Sequence, residues 1–119
     1  MTILRQVNRS VVVIRPLQPY MDWCNSMPNI EKTGKYTLEC AQEDCLALLV
    51  PMRVFMRSHA KWIDKIYKDI FEEMLNAWCT ERALWPKDVT LPMFREWFKV
   101  EINSEVFDTT SKVLIRESE

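Results

Sequence analysis

The chain has 119 residues, 48% of them hydrophobic and 28% charged, and a net charge of −1. That is one domain's length with enough apolar content to order a core, which excludes a disordered chain. The balanced charge argues against a surface that binds polyanions everywhere, and no run approaches the ~20 apolar residues of a membrane span.

The charge is nevertheless unevenly placed. Residues 1–15 carry Arg5, Arg9 and Arg15 and no acid, residues 50–68 carry five basic side chains against Asp64, and residues 69–108 carry nine acids against four basic side chains. A dipolar chain can steer a partner or associate head to tail, although dispersed charges also simply keep solvated faces wet. The cysteines are Cys24, Cys40, Cys45 and Cys79. No signal peptide is recognisable, since the apolar run over 11–14 is closed by Arg15-Pro16. Thiols inside apolar patterns act as small hydrophobes, so free thiols in a cytoplasmic protein are expected. Gly34 is the single glycine. That excludes a dinucleotide fingerprint or P-loop and disfavours tight primed hairpins. Prolines carry the turns instead.

In chain order, Val11, Val12, Val13 and Ile14 predict a central strand buried on both faces. Pro19 suits a helix's first turn, and Tyr20, Trp23, Cys24 and Met27 follow at helical spacing until Pro28. Residues 29–36 predict a loop, and Thr37 is placed to cap a short helical turn. The apolar run over 45–50 predicts a second buried strand, with a helix as rival because leucine and alanine favour it. Ser58 is the expected N-cap of a long helix. There Trp62, Ile63, Ile66, Tyr67, Ile70, Phe71, Met74, Leu75 and Trp78 form one apolar stripe. The opposite face allows Asp64–Lys68, Lys65–Asp69 and Lys68–Glu72 pairs. Residues 80–89 predict a loop holding Trp85-Pro86. Thr90 caps a short helix over 91–98, with Met93, Phe94, Trp97 and Phe98 on its apolar face. Val100, Ile102 and Val106 alternate with Glu101, Asn103, Glu105 and Phe107 as an edge strand with one wet face. The expected fold is α+β: a small sheet of about three strands with a long amphipathic helix and shorter helices packed on it. Residues 1–108 form the single domain and 109–119 a loosely held tail.

Chemistry-bearing constellations are sparse. His59 is the only histidine, and the four cysteines contain no C-x₂-C knuckle, so no metal site is expected. His59 is read as a surface residue of the helix's first turn. Ser/His and Cys/His catalysis would both have to use it, without a supporting motif. Glu101 and Glu105 share a strand face, four residues and about 13 Å apart, beyond a glycosidase pair's separation. Trp85, in a loop, is the tryptophan most expected to be exposed to a partner. Arg53, Arg57, Lys61, Lys65 and Lys68, interleaved with Phe55 and Trp62, form a basic stretch able to track phosphates, interrupted by Asp64, Asp69 and Glu72.

Two stretches, VVVIRPLQPYMDWCNS over 11–26 and LWPKDVTLPMFREWFKVE over 84–101, resemble a family of small uncharacterised bacterial proteins of this length. The resemblance runs through most of the chain except 50–61 and the tail. It implies a bacterial, cytosolic, single-domain protein and carries no activity, cofactor or site residue. The functional expectation is a non-enzymatic binding or assembly module, a homodimer through the edge near 101–107, needing no cofactor and no membrane. One alternative is a nucleic-acid-associated regulator using residues 53–68. Another is a small enzyme with a carboxylate cleft near Trp85.

Overall fold

The computed structural model describes residues 3–28, 37–52 and 56–117, the side chains of Met56 and Arg57 excepted. The loop predicted over 29–36 lies outside the described residues. The α+β architecture is the expected one. Strand β2 (Arg9–Pro16) lies between β3 (Leu46–Pro51) and β4 (Phe98–Asn103), antiparallel to both. Helices α1 (Gln18–Cys24) and α2 (Leu38–Ala41) lead from β2 to β3. Helices α3 (Met56–Trp78) and α4 (Leu91–Trp97) lead from β3 to β4. A chain with one glycine thus builds an antiparallel sheet through helical connections. Tight hairpin turns need φ > 0, and no described residue has a positive φ.

Proline and threonine set the helix starts. Pro19 and Pro92 occupy the first turns of α1 and α4, where a missing N–H breaks no helical bond. Thr37 and Thr90 cap α2 and α4, their hydroxyl oxygens accepting from the backbone N–H of Cys40 at 3.2 Å and Met93 at 3.3 Å. Helix α1 ends at Cys24 with Asn25 as its cap, short of the expected stop at Pro28. Helix α3 begins at Met56, so Ser58 lies inside the first turn rather than capping it.

The core lies between the sheet and the helices. On β2, Ser10, Val12, Ile14 and Pro16 are buried, while Arg9, Val11, Val13 and Arg15 are only half-buried. The strand is central, as expected, but it is covered on one face, not two. Strand β3 is likewise an edge rather than a doubly buried strand: Val50 is buried and Ala47 and Leu49 are exposed. Helix α3 covers the inner face with Ile63, Ile70, Phe71 and Leu75, joined by Phe94, Phe98, Tyr20, Met21 and Trp23. Phe71 sits 5.2 Å from the rings of both Trp97 and Phe98. The apolar stripe is inward over most of its length. Trp62 is half-buried, and Trp78, at the helix end, is 36% exposed with its indole N–H donating to the Cys24 carbonyl at 3.0 Å.

A short two-stranded arm was not legible in the sequence. Strands β1 (Arg5–Gln6) and β5 (Phe107–Asp108) pair antiparallel beyond the sheet, and the Val7 N–H donates to the Val106 carbonyl at 2.9 Å. Val11 faces Asn103 while Gln6 faces Phe107. Residues 7–10 therefore oppose 104–106, one residue more on the first side, which bends the ribbon as a bulge does. The predicted strand over 100–107 is split at this bend, leaving Glu105 outside β4. The Cα radius of gyration is 16.5 Å, above the roughly 13–14 Å of a compact chain of this length. Residues 109–117 follow β5 and are exposed throughout. All four cysteines are free thiols, and among the described residues no helix is long and apolar enough to cross a membrane.

Candidate interaction surface

The structure separates the residues singled out in the sequence. Lys61, Lys65 and Lys68 are exposed on α3, as expected. Ser58, Lys61, Trp62 and Lys65 line a hollow of about 210 Å³, with the Lys65 ammonium 6.0 Å from the Trp62 ring centroid. Asp64, which interrupts the basic stretch, pairs with Arg95 of α4 at 3.0 Å, not within its own helix. Arg53 and Phe55 lie outside the described residues, as does the side chain of Arg57.

Trp85 is half-buried against the core instead of presenting its ring to a partner. A 3₁₀ turn over Arg82–Leu84 folds it back. Its indole N–H donates to the Cys79 carbonyl at 2.7 Å, and the Arg82 guanidinium stacks 4.9 Å from its ring. The Leu84 carbonyl accepts from the Trp23 indole at 3.1 Å, pinning the same loop to α1. Glu101 lies elsewhere, opposite Val13 on the sheet's open face. Its carboxylate hydrogen-bonds the Arg15 guanidinium, which holds its pKa below the ordinary carboxylate value. A general acid needs the opposite shift. Among the described residues, then, Trp85 and the acids of the last strand do not form a common cleft.

His59 corrects its expectation outright. It is 2% exposed, and its Nε2 lies 2.8 Å from the Oγ of Ser10, itself fully buried. Among the described residues Nδ1 has no hydrogen-bond partner. A serine–histidine contact is the first half of a nucleophilic site. Here both members are closed to solvent and, among the described residues, no carboxylate hydrogen-bonds the ring, so the pair acts as a polar tie between β2 and α3. The periodicity carried the signal: His59 stands four residues before Ile63, on the buried stripe.

The sheet face turned away from the helices presents an apolar centre and a charged rim. Cross-strand pairing sets Val11 beside Leu49 and Val13 beside Ala47, with Asn103, Glu101 and Lys99 opposite Val11, Val13 and Arg15. Leu49 is 51% exposed. At its arm end the face runs into a groove of about 380 Å³ lined by Val7, Arg9, Leu49, Val106, Phe107 and Leu114, among others. Phe107 is 48% exposed. Apolar centres with charged rims are the make-up of protein interfaces. Period-2 patterning could not disclose this face, because Val11 and Val13 are as apolar as Val12 and Ile14 on the buried side.

Compared with known proteins, the chain matches no protein-family model, no curated protein and no solved structure.

Proposed function

We propose that the chain is a non-enzymatic binding and assembly module of the bacterial cytosol, and that it associates with itself as a symmetric homodimer through the open sheet face, the groove and the arm. One observation carries this reading. Nine large hydrophobic residues are exposed among the described residues, and seven of them (Ile3, Leu4, Leu49, Phe107, Val113, Leu114 and Ile115) belong to the arm, the groove and the segment after β5. Single exposed apolar residues are ordinary, whereas a concentrated set marks an interaction site.

The sizes involved favour association through all three parts together. Three strands ~4.8 Å apart and about 20 Å long offer about 300 Å². A stable interface needs ~800 Å² per partner, so the sheet face alone is too small and the arm must contribute. Burying half of what the seven side chains expose, on each of two copies, is worth roughly 10–20 kcal/mol gross. That exceeds most of the ~4–15 kcal/mol cost of association. Sedimentation velocity tests the reading: a dimer is expected that Leu49→Arg combined with Phe107→Arg converts to monomer. A clean monomer for the unaltered chain at high concentration rejects it.

A second reading, a nucleic-acid-associated regulator using Lys61, Lys65 and Lys68, is favoured by the Asp64–Arg95 pair, which draws the interrupting acid toward α4. It predicts salt-sensitive binding to DNA or RNA whose log–log salt slope shrinks when the three lysines are neutralised. Salt-independent or absent binding rejects it.

A further inference from the structure

The groove between the arm and β3 is large, apolar and incompletely filled, and the segment that follows β5 holds the side chains that suit it. Residues 113–115 read Val-Leu-Ile and are 85%, 64% and 86% exposed. In its own chain only Leu114 reaches the groove. Two consecutive turns fix that outcome: the Thr110 N–H donates to the Asp108 carboxylate at 2.9 Å, and the Lys112 N–H donates to the Thr110 hydroxyl at 3.2 Å. They hold the start of the segment against β5. Val113 and Ile115, the most exposed of the three, do not line the groove.

We infer that the groove of one copy receives residues 113–115 of a second copy, and that the exchange is reciprocal. This rests on the self-association proposed above and names the element that carries it. Charge supports the pairing. Arg9 and Asp108 line the groove, and the apolar triplet is flanked by Lys112 and Arg116, both able to meet Asp108, with Glu117 next in the chain. Among the described residues none of these five belongs to an ion pair within its own chain. An isologous arrangement satisfies both copies at once: two grooves, two segments, each pairing made twice. A groove at the root of the arm and a donor segment leaving its tip also explain why the exposed apolar residues of the chain gather at one end.

The test compares four chains by sedimentation velocity: the unaltered chain, a chain ending at Thr110, Leu114→Asp and Phe107→Asp. The first is expected to be a dimer, and each of the others to self-associate at least 100-fold more weakly. Mixing the chain that ends at Thr110, whose groove loses only its own Leu114, with Phe107→Asp, which keeps its segment, is expected to restore a 1:1 complex. Circular dichroism and a thermal melt check that the truncated chain keeps its fold: residues 111–117 are all exposed, and of them only Leu114 lines the groove. A truncated chain that dimerises as tightly as the unaltered one overturns the exchange while leaving self-association through the sheet face standing. A monomeric unaltered chain overturns both.

Discussion

Replacing Ser10 with alanine isolates the polar tie between the sheet and the long helix. Ser10 is fully buried and His59 is 2% exposed, with 2.8 Å between Oγ and Nε2. The substitution removes little volume. It leaves a buried imidazole whose Nδ1 already lacks a partner with no partner at Nε2 either. An unsatisfied buried polar group costs about 1–3 kcal/mol. For a domain of this size that is a fall in Tm of about 4–12 °C. Urea denaturation measures it as a lowered midpoint at unchanged m-value. Adding His59→Leu in a double-mutant cycle should recover part of the loss, because the second change removes the orphaned nitrogens, with a coupling of about 0.5–3 kcal/mol. If Ser10→Ala shifts stability by less than about 0.5 kcal/mol, the range of inert surface changes, the tie does not contribute as described.

Three further outcomes follow from the same structure. The Glu101 pKa is lowered mainly by its hydrogen bond to Arg15, so the folded state binds the proton later than the unfolded chain does. The contribution is present above the ordinary carboxylate value near 4.5 and is lost as pH falls through the lower folded value; a Glu101→Gln chain should lose that acid-limb slope in a pH series of thermal melts. Burial pushes the Cys24 thiol up to about 12, whereas Cys40 is exposed. Iodoacetamide at pH 8 should alkylate Cys40 long before Cys24 by peptide mass mapping, and equal rates would contradict the packing of α1. Phe71→Ala removes a fully buried ring at the centre of the aromatic cluster and should cost about 3–5 kcal/mol, measurable by chemical denaturation.

The elements with strong local signals were legible: the Val-Val-Val-Ile strand, the amphipathic stripe of α3, and the threonine and proline starts of α2 and α4. What escaped depended on tertiary context. His59 looked superficial because a polar residue near a helix start usually is, yet the helix phase that buries Ile63 buries it too. A loop position suggests exposure for Trp85, but its indole N–H needs an acceptor when buried, and the Cys79 carbonyl supplies one through a turn the sequence marks only weakly. The arm strands are two residues each, too short for any periodicity, and the bulge that creates them is a matter of register between distant segments. Which face of β2 stays open is hidden by four consecutive β-branched residues that read alike on both sides. The interaction surface was anticipated only as an edge near 101–107. The surface proposed here instead centres on Val11, Val13, Ala47 and Leu49, with its groove at the root of the arm.

Self-association is the central claim, and the sedimentation of the unaltered chain measures it most directly. At about ten micromolar and above, a single species of twice the chain mass is expected, as for an interface with Kd near or below ~1 μM. A single species of monomer mass across the whole concentration range contradicts it.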